Sequence, residues 1–340
     1  QALARILADD SDRSAQRTQL MMLVIQWAES APQAAMLAMQ QMKAGDNRDR
    51  LINIILRIWA SNDVEAALAH AIEMEPKGKY AKVVLSNIAD KTPQKALSLY
   101  EQHKSRLGAD TKKSILRAWS AADPRAVAQY YEQNPGPDFK KGVKALLYGY
   151  SNKYPEEAFL WAQRMGLLDD TEIARLTGDA LVRADMKKAQ NLFEQMEPGK
   201  NRAGLLSNIV GQLSREDINQ AQQWLAEHEG EPGYAVAQRK LYYQWSRTDP
   251  QAAAEQALDL NDEAQRNSNI GSVVSNWYQQ SPEQALKWAY DLPQGITRDQ
   301  VLGRVAISAS RRDLQKAREI AADISDDTYR AAILARFKGN

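Results

Sequence analysis

The chain has 340 residues, 44 of them basic and 43 acidic, with no cysteine and a mean hydropathy of −0.56. The near-cancelling charges argue against nucleic-acid binding over the whole surface, and no apolar run approaches the roughly 18 residues that a membrane helix requires. Without cysteine there are no disulfides, thiol nucleophiles or thiolate metal sites. The length suits two globular domains or one elongated repeat array, and internal periodicity decides between them.

In chain order, QALARILADD at residues 1–10 has neither a basic start nor a long apolar core, so it is not a signal peptide. It reads like the QAAAEQA of Gln251–Ala257, which places the start of the chain inside a repeat and points to a longer array of which this is part. From there one frame recurs. Helix starts are predicted at Pro32, Val64, Pro93, Pro124, Pro155, Met186, Ile218, Pro250, Pro282 and Leu314, spaced 29 to 32 residues apart. Asp63, Thr92, Asp123, Asp185, Asp217, Asp249, Ser281 and Asp313 stand immediately before eight of these starts. They are predicted N-caps, whose side-chain oxygens take an unpaired backbone N–H. Proline suits the start itself because it lacks the N–H that would go unpaired there. Three residues past each start is alanine, except at Val127, so another helix is expected to approach closely at that point. These helices end in turn sequences such as EPKG (Glu75–Gly78), EPG (Glu197–Gly199), EPG (Glu231–Gly233) and LPQG (Leu292–Gly295).

The stretch before each start is helical too. Apolar residues recur twelve, nine, eight and five places before the start, a spacing that draws one stripe down a helix. Trp27, Trp59, Trp119, Trp245 and Trp277 share the last of these places and are expected in the core. Each unit is thus an antiparallel pair of helices that cannot bury its stripe alone, so neighbours must stack. The predicted fold is all-α: an α/α superhelical solenoid of about ten tandem 31–32-residue helical hairpins with half-repeats at both ends, forming a single domain over residues 1–340. The C-terminal half-repeat is YRAAILARF, Tyr329–Phe337. NPGPDFKKG, residues 134–142, is the most irregular turn and is expected as a longer loop at an irregular junction.

The aromatic residue late in the first helix, the small residue early in the second and the prolines near the turns resemble the tetratricopeptide and related α/α-superhelix repeats. The period is about two residues short of the ~34 of tetratricopeptide units, and Gly149, Gly178, Gly211 and Gly271 hold no fixed place in the first helix. The resemblance implies a curved superhelix used to bind proteins or peptides. Similar superhelices form the non-catalytic part of some periplasmic lytic transglycosylases. That suggests an alternative, the accessory region of a larger cell-wall-processing enzyme with its catalytic part elsewhere.

Chemistry is sparse. His70, His103 and His228 fall at places otherwise used for packing, and no metal-ligand spacing joins them. Acidic neighbours such as Glu156–Glu157, Asp169–Asp170 and Asp326–Asp327 sit at helix starts or turns, where they favour the positive end of the helix dipole. Phosphate-binding, nucleophile-elbow and zinc-protease motifs are missing. No catalytic, cofactor or metal site is therefore expected, and the chain is read as non-enzymatic. One pattern points outward. Arg50 and Arg57, Lys79 and Lys82, Lys113 and Arg117, and Lys141 and Lys144 occupy positions three and four residues apart on the first helices of units two to five. Stacked helices would bring these rows roughly 10 Å apart. Residues 48–145 hold 17 basic and 11 acidic side chains, whereas residues 146–340 hold 23 and 27. The expected function is a scaffold for a protein or extended peptide, acidic in character, with no cofactor, no nucleic acid and no membrane span. A bacterial periplasmic location suits the lack of cysteine, with the cytoplasm as the alternative. Nothing in the sequence sets an oligomeric state.

Overall fold

The computed structural model describes residues 13–337 apart from 44, 76 and 77; for residues 13–17, 137, 138, 140 and 141 it describes the backbone alone. The expected N-terminal half-repeat in residues 1–7 lies outside the described residues. Those that are described form 21 α-helices and one short 3-10 turn, with no strand. The chain divides into two compact units, one up to Tyr154 and one from Pro155 on.

The first unit contains α1 (Arg13–Ser30), α2 (Pro32–Gln40), α3 (Asp46–Asn62), α4 (Val64–Met74), α5 (Lys79–Ile88), α6 (Pro93–His103), α7 (Ala109–Ala122), α8 (Pro124–Gln133) and α9 (Pro137–Lys153). The second begins with α10 (Pro155–Arg164), the 3-10 turn Leu167–Asp169, α11 (Thr171–Ala184), α12 (Met186–Gln195), α13 (Lys200–Glu216), α14 (Ile218–Glu227) and α15 (Tyr234–Trp245). It continues through α16 (Pro250–Leu258), α17 (Glu263–Gln280), α18 (Pro282–Asp291), α19 (Ile296–Ala309), α20 (Leu314–Ala322) and α21 (Asp327–Ala335). All ten predicted starts are the first residues of the even-numbered helices.

The caps explain why the starts are so sharp. Asp63, Asp123, Asp185, Asp217, Asp249 and Asp313 each accept a backbone N–H from the first turn of the helix they precede, as Asp249 does from Ala252 at 3.0 Å. Thr92 and Ser281 do not cap. The Thr92 hydroxyl instead donates back to the Ile88 carbonyl at 3.2 Å, which uses the group that would have had to turn toward the next helix. The residues predicted at close approach, from Ala35 through Val127 to Ala317, are all buried. The irregular segment 134–142 is a shorter loop than expected. Only Asn134–Gly136 lie between helices, and Pro137 occupies the first turn of α9, where its missing N–H costs nothing.

Within each unit every odd-numbered helix packs on the next odd-numbered one, and most even-numbered helices pack on the odd ones flanking them. Ile55, Val84, Ile115 and Leu146 in the first unit, and Ile209, Leu241, Val273 and Val305 in the second, fill the stripe position nine places before the start. Thr177 takes that position in α11 and remains satisfied because its hydroxyl donates to the Ile173 carbonyl at 2.9 Å. Trp59, Trp119 and Trp277 are buried as predicted, whereas Trp27 and Trp245 are half-buried.

The glycines without a fixed place in sequence have a common use in the second unit. Polar side chains from the next odd-numbered helix lie across them. A Cβ on Gly178 would stand 2.8 Å from Cγ of Asn208, one on Gly211 2.7 Å from Nζ of Lys240, one on Gly271 3.0 Å from Nε of Arg304, and one on Gly303 2.9 Å from Cζ of Tyr329. Asn208 uses the close approach to reach α11: with its amide oxygen turned toward that helix it accepts from the Asp179 N–H at 2.8 Å, while its amide N–H donates to the Gly204 carbonyl of its own helix at 2.8 Å. Asn269 on α17 likewise donates to Gln238 on α15 at 2.7 Å, and both are buried.

Candidate functional site

The basic positions lie on α3, α5, α7 and α9, which pack in that order. Arg50, Arg57, Lys79, Lys82, Lys113, Arg117 and Lys144 are all exposed. The side chain of Lys141 lies outside the described ones, although its backbone is part of α9. Lys82, Lys113 and Lys144 occupy the same place, eleven residues before the next helix start, on three consecutively packed helices. This row is the most regular part of the pattern.

Lys79 stands apart from it. Its ammonium donates to Asp49 on α3 at 2.6 Å, and the Tyr80 hydroxyl donates to the same carboxylate at 2.8 Å. These hydrogen bonds hold the Asp49 carboxyl below its ordinary range, the one from Lys79 foremost, and the bond to Asp49 in turn raises Lys79. Lys79 therefore ties α5 to α3 and offers less charge to a partner than its exposure suggests. Arg50, Arg57, Lys82, Lys113 and Arg117 form no ion pair among the described residues.

Between α7 and α9 the row borders a groove of about 290 Å³. Lys113 and Arg117, one helical turn apart, form one lip, with Asp110 at the α7 N-terminus. Leu116, Val127 and Leu146 supply an apolar floor, and Tyr148, 65 % exposed, stands on the α9 side. The groove exists because α9 carries Gly142, Ala145 and Gly149 there. The Tyr131 hydroxyl lies over Gly142, but nothing stands within 4 Å of where a Cβ on Gly149 would be. Sequence reasoning missed Tyr148. The available signal was an aromatic residue seven places before the start, the place that Arg57 and Arg117 hold in earlier units.

Two other clusters gather polar side chains. An open cleft of about 690 Å³ between α6, α7 and α8 is lined by Gln94, Ser98, Gln129, Gln133 and Tyr130, and its charged pair, Lys112 and Glu101 at 3.8 Å, is self-neutralising. In the second unit, Arg202 donates to the Phe193 and Met196 carbonyls at the end of α12 at 2.6 and 2.9 Å. Its guanidinium also forks onto Glu231 at 3.1 and 2.6 Å. His228 sits beside it, with Nδ1 2.7 Å from the Trp224 carbonyl and Nε2 2.9 Å from Glu194. With both ring nitrogens engaged by neighbouring groups, the cluster works as a clamp on the α12 C-terminus, where cations complement the exposed carbonyls. His70 packs against Trp59 with ring centroids 5.3 Å apart. No group of three or more His, Asp or Glu side chains converges to hold a metal among the described residues, and no described helix is long and apolar enough to cross a membrane.

The fold and these surfaces define a class: an all-helical protein of sequentially packed helices, compatible with a helical-repeat architecture. Comparison with protein-family models, curated proteins and solved structures finds no match to this chain.

Proposed function

We propose that the chain is an α/α superhelical solenoid of about ten 31–32-residue hairpins, related in design to tetratricopeptide-like repeats. In this reading it serves as a non-enzymatic scaffold that binds an acidic protein segment along the odd-numbered helices α3 to α9. Contacts confined to neighbouring helices are what stacked repeats produce, because each unit can bury its stripe only against the next. The observation that carries the functional reading is the row of Lys82, Lys113 and Lys144, exposed at one register of three consecutive helices. Among the described residues, Lys113 and Arg117 in the same region have no acidic partner in an ion pair. Such a row steers and holds an acidic chain more than it stabilises the fold, since exposed charges contribute about 0–1 kcal/mol each to stability. A cysteine-free chain suits the bacterial cell envelope, the compartment we propose.

The test is a charge reversal, Lys82→Glu with Lys113→Glu and Lys144→Glu, in the full chain. Capture of acidic partners from the native organism should be abolished while the melting temperature stays unchanged. Undiminished capture by the reversed protein would remove the proposal.

A further inference from the structure

The groove between α7 and α9 has a shape that a charged surface alone does not need. Its floor is apolar, its volume of about 290 Å³ holds roughly ten waters, and neither α7 nor α8 places a described side chain within 4 Å of where a Cβ on Gly149 would stand. Water over an apolar floor is poorly held, so an entering apolar group displaces it favourably. The lip chooses which apolar group can enter: Lys113 and Arg117 favour one flanked by carboxylates, and the planar fork of Arg117 can take a carboxylate with two parallel hydrogen bonds.

We infer that this groove is an anchor pocket for one large apolar side chain, carried by an extended acidic peptide segment whose flanking carboxylates engage Lys113 and Arg117. The inference rests on the proposed acidic partner and specifies how that partner is recognised. Tyr148 closes over the inserted side chain from α9, adding apolar contact at the rim. Asp110 sits on the same lip at the start of α7 and repels a carboxylate there, so the acidic residues of the ligand lie toward Arg117. Recognition by charge alone would tolerate any acidic sequence. The pocket adds a requirement for a bulky residue at one place.

The experiment is fluorescence anisotropy of the full chain with labelled peptides built from Glu and Ser around a central Phe. A second peptide has Ala for Phe, and a third has Gln for every Glu. The Phe-containing acidic peptide should bind at least about tenfold more tightly than either control. Gly149→Leu, which projects a side chain into the open groove, should remove that advantage without lowering the melting temperature, because leucine also favours the helix. Ala145→Phe fills the same groove from one turn earlier and serves if Gly149→Leu loses helical signal. Asp110→Asn should tighten binding a few-fold by removing the repelling carboxylate.

Equal binding of the Phe and Ala peptides, abolished by the Lys82, Lys113 and Lys144 reversal, overturns the pocket and leaves the charged row standing. No binding of any peptide, with capture of acidic partners unaffected by the reversal, overturns both. Equal binding of the Gln peptide, or tighter Gly149-dependent binding of a single-stranded oligonucleotide, also overturns the pocket as a site for acidic peptides.

Discussion

The two units use the same helix pairs but differ in what lies between and on top of their odd-numbered helices. Both line their joints with aliphatic side chains, Ile55, Val84, Ile115 and Leu146 in the first; there polar ties from Lys79 and Tyr80 to Asp49 and from Asn87 to the Arg57 carbonyl join α3 to α5, and the cations sit outside. In the second, polar side chains are drawn into the joints: Asn208 over Gly178, Lys240 over Gly211, and Asn269 onto Gln238. A polar group in a joint must be satisfied there and cannot serve a partner, whereas a cation on an apolar joint is free to do so. The first unit thus holds Arg50, Arg57, Lys82, Lys113 and Arg117 outside any ion pair among the described residues, and the second ties its helices together through polar groups.

This contrast yields predictions of graded size. The largest concerns Arg202, which joins α12, α13 and the turn before α15. Arg202→Met should lower the stability of the second unit by about 3–5 kcal/mol, because it leaves Glu231 and two carbonyls without their partner. Lys82→Met in the first unit should change stability by less than about 0.5 kcal/mol. Denaturant unfolding followed by amide exchange over α12–α15 and α5 distinguishes the two.

Next comes alkaline behaviour. Burial pushes the Tyr242 hydroxyl up to about 12, and burial with the hydrogen bond to Asp323 pushes Tyr290 up to about 12. The unfolded chain releases these protons near pH 10, so the stabilisation is full below pH 10 and is lost as pH rises from there toward 12. The second unit should lose on the order of 2 kcal/mol from Tyr242 alone over that window. Tyr242→Phe should flatten the profile, measured as melting temperature against pH.

The caps predict a smaller effect. Asp249→Ala should cost about 1 kcal/mol, whereas Ser281→Ala should cost much less, since only Asp249 accepts a bond from its helix. Ser281→Asp should raise the melting temperature. Smallest is Lys240, whose ammonium burial lowers its pKa against the pull of Asp179. The charge therefore costs stability at neutral pH, and the cost fades as pH rises through the lowered value toward the ordinary ~10.4. Lys240→Met should raise the melting temperature slightly at pH 7 and by less at high pH.

Sequence carried the helix pairs because their signals are local. Asp249, Pro250 and Ala253 act within one turn, so cap, start and close approach can be read without knowing any neighbour. Gly178 and Gly211 could not be read this way, because their use depends on which side chain of another helix crosses them. The tie from Lys79 to Asp49 could not be read locally for the same reason. Asp49 lies one repeat earlier in the chain, a separation that stacked units would bring together. The groove at Gly149 could not be read locally because it depends on how α7, α8 and α9 pack, and Tyr148 was its one local hint.

Hydrogen–deuterium exchange of the full chain with and without poly-glutamate, compared helix by helix, tests the division of roles most directly. An acidic partner held by the first unit should protect α5, α7 and α9 and leave α13, α15, α17 and α19 unchanged. Protection confined to the second unit, or none in α5, α7 and α9 under saturating poly-glutamate, would contradict it.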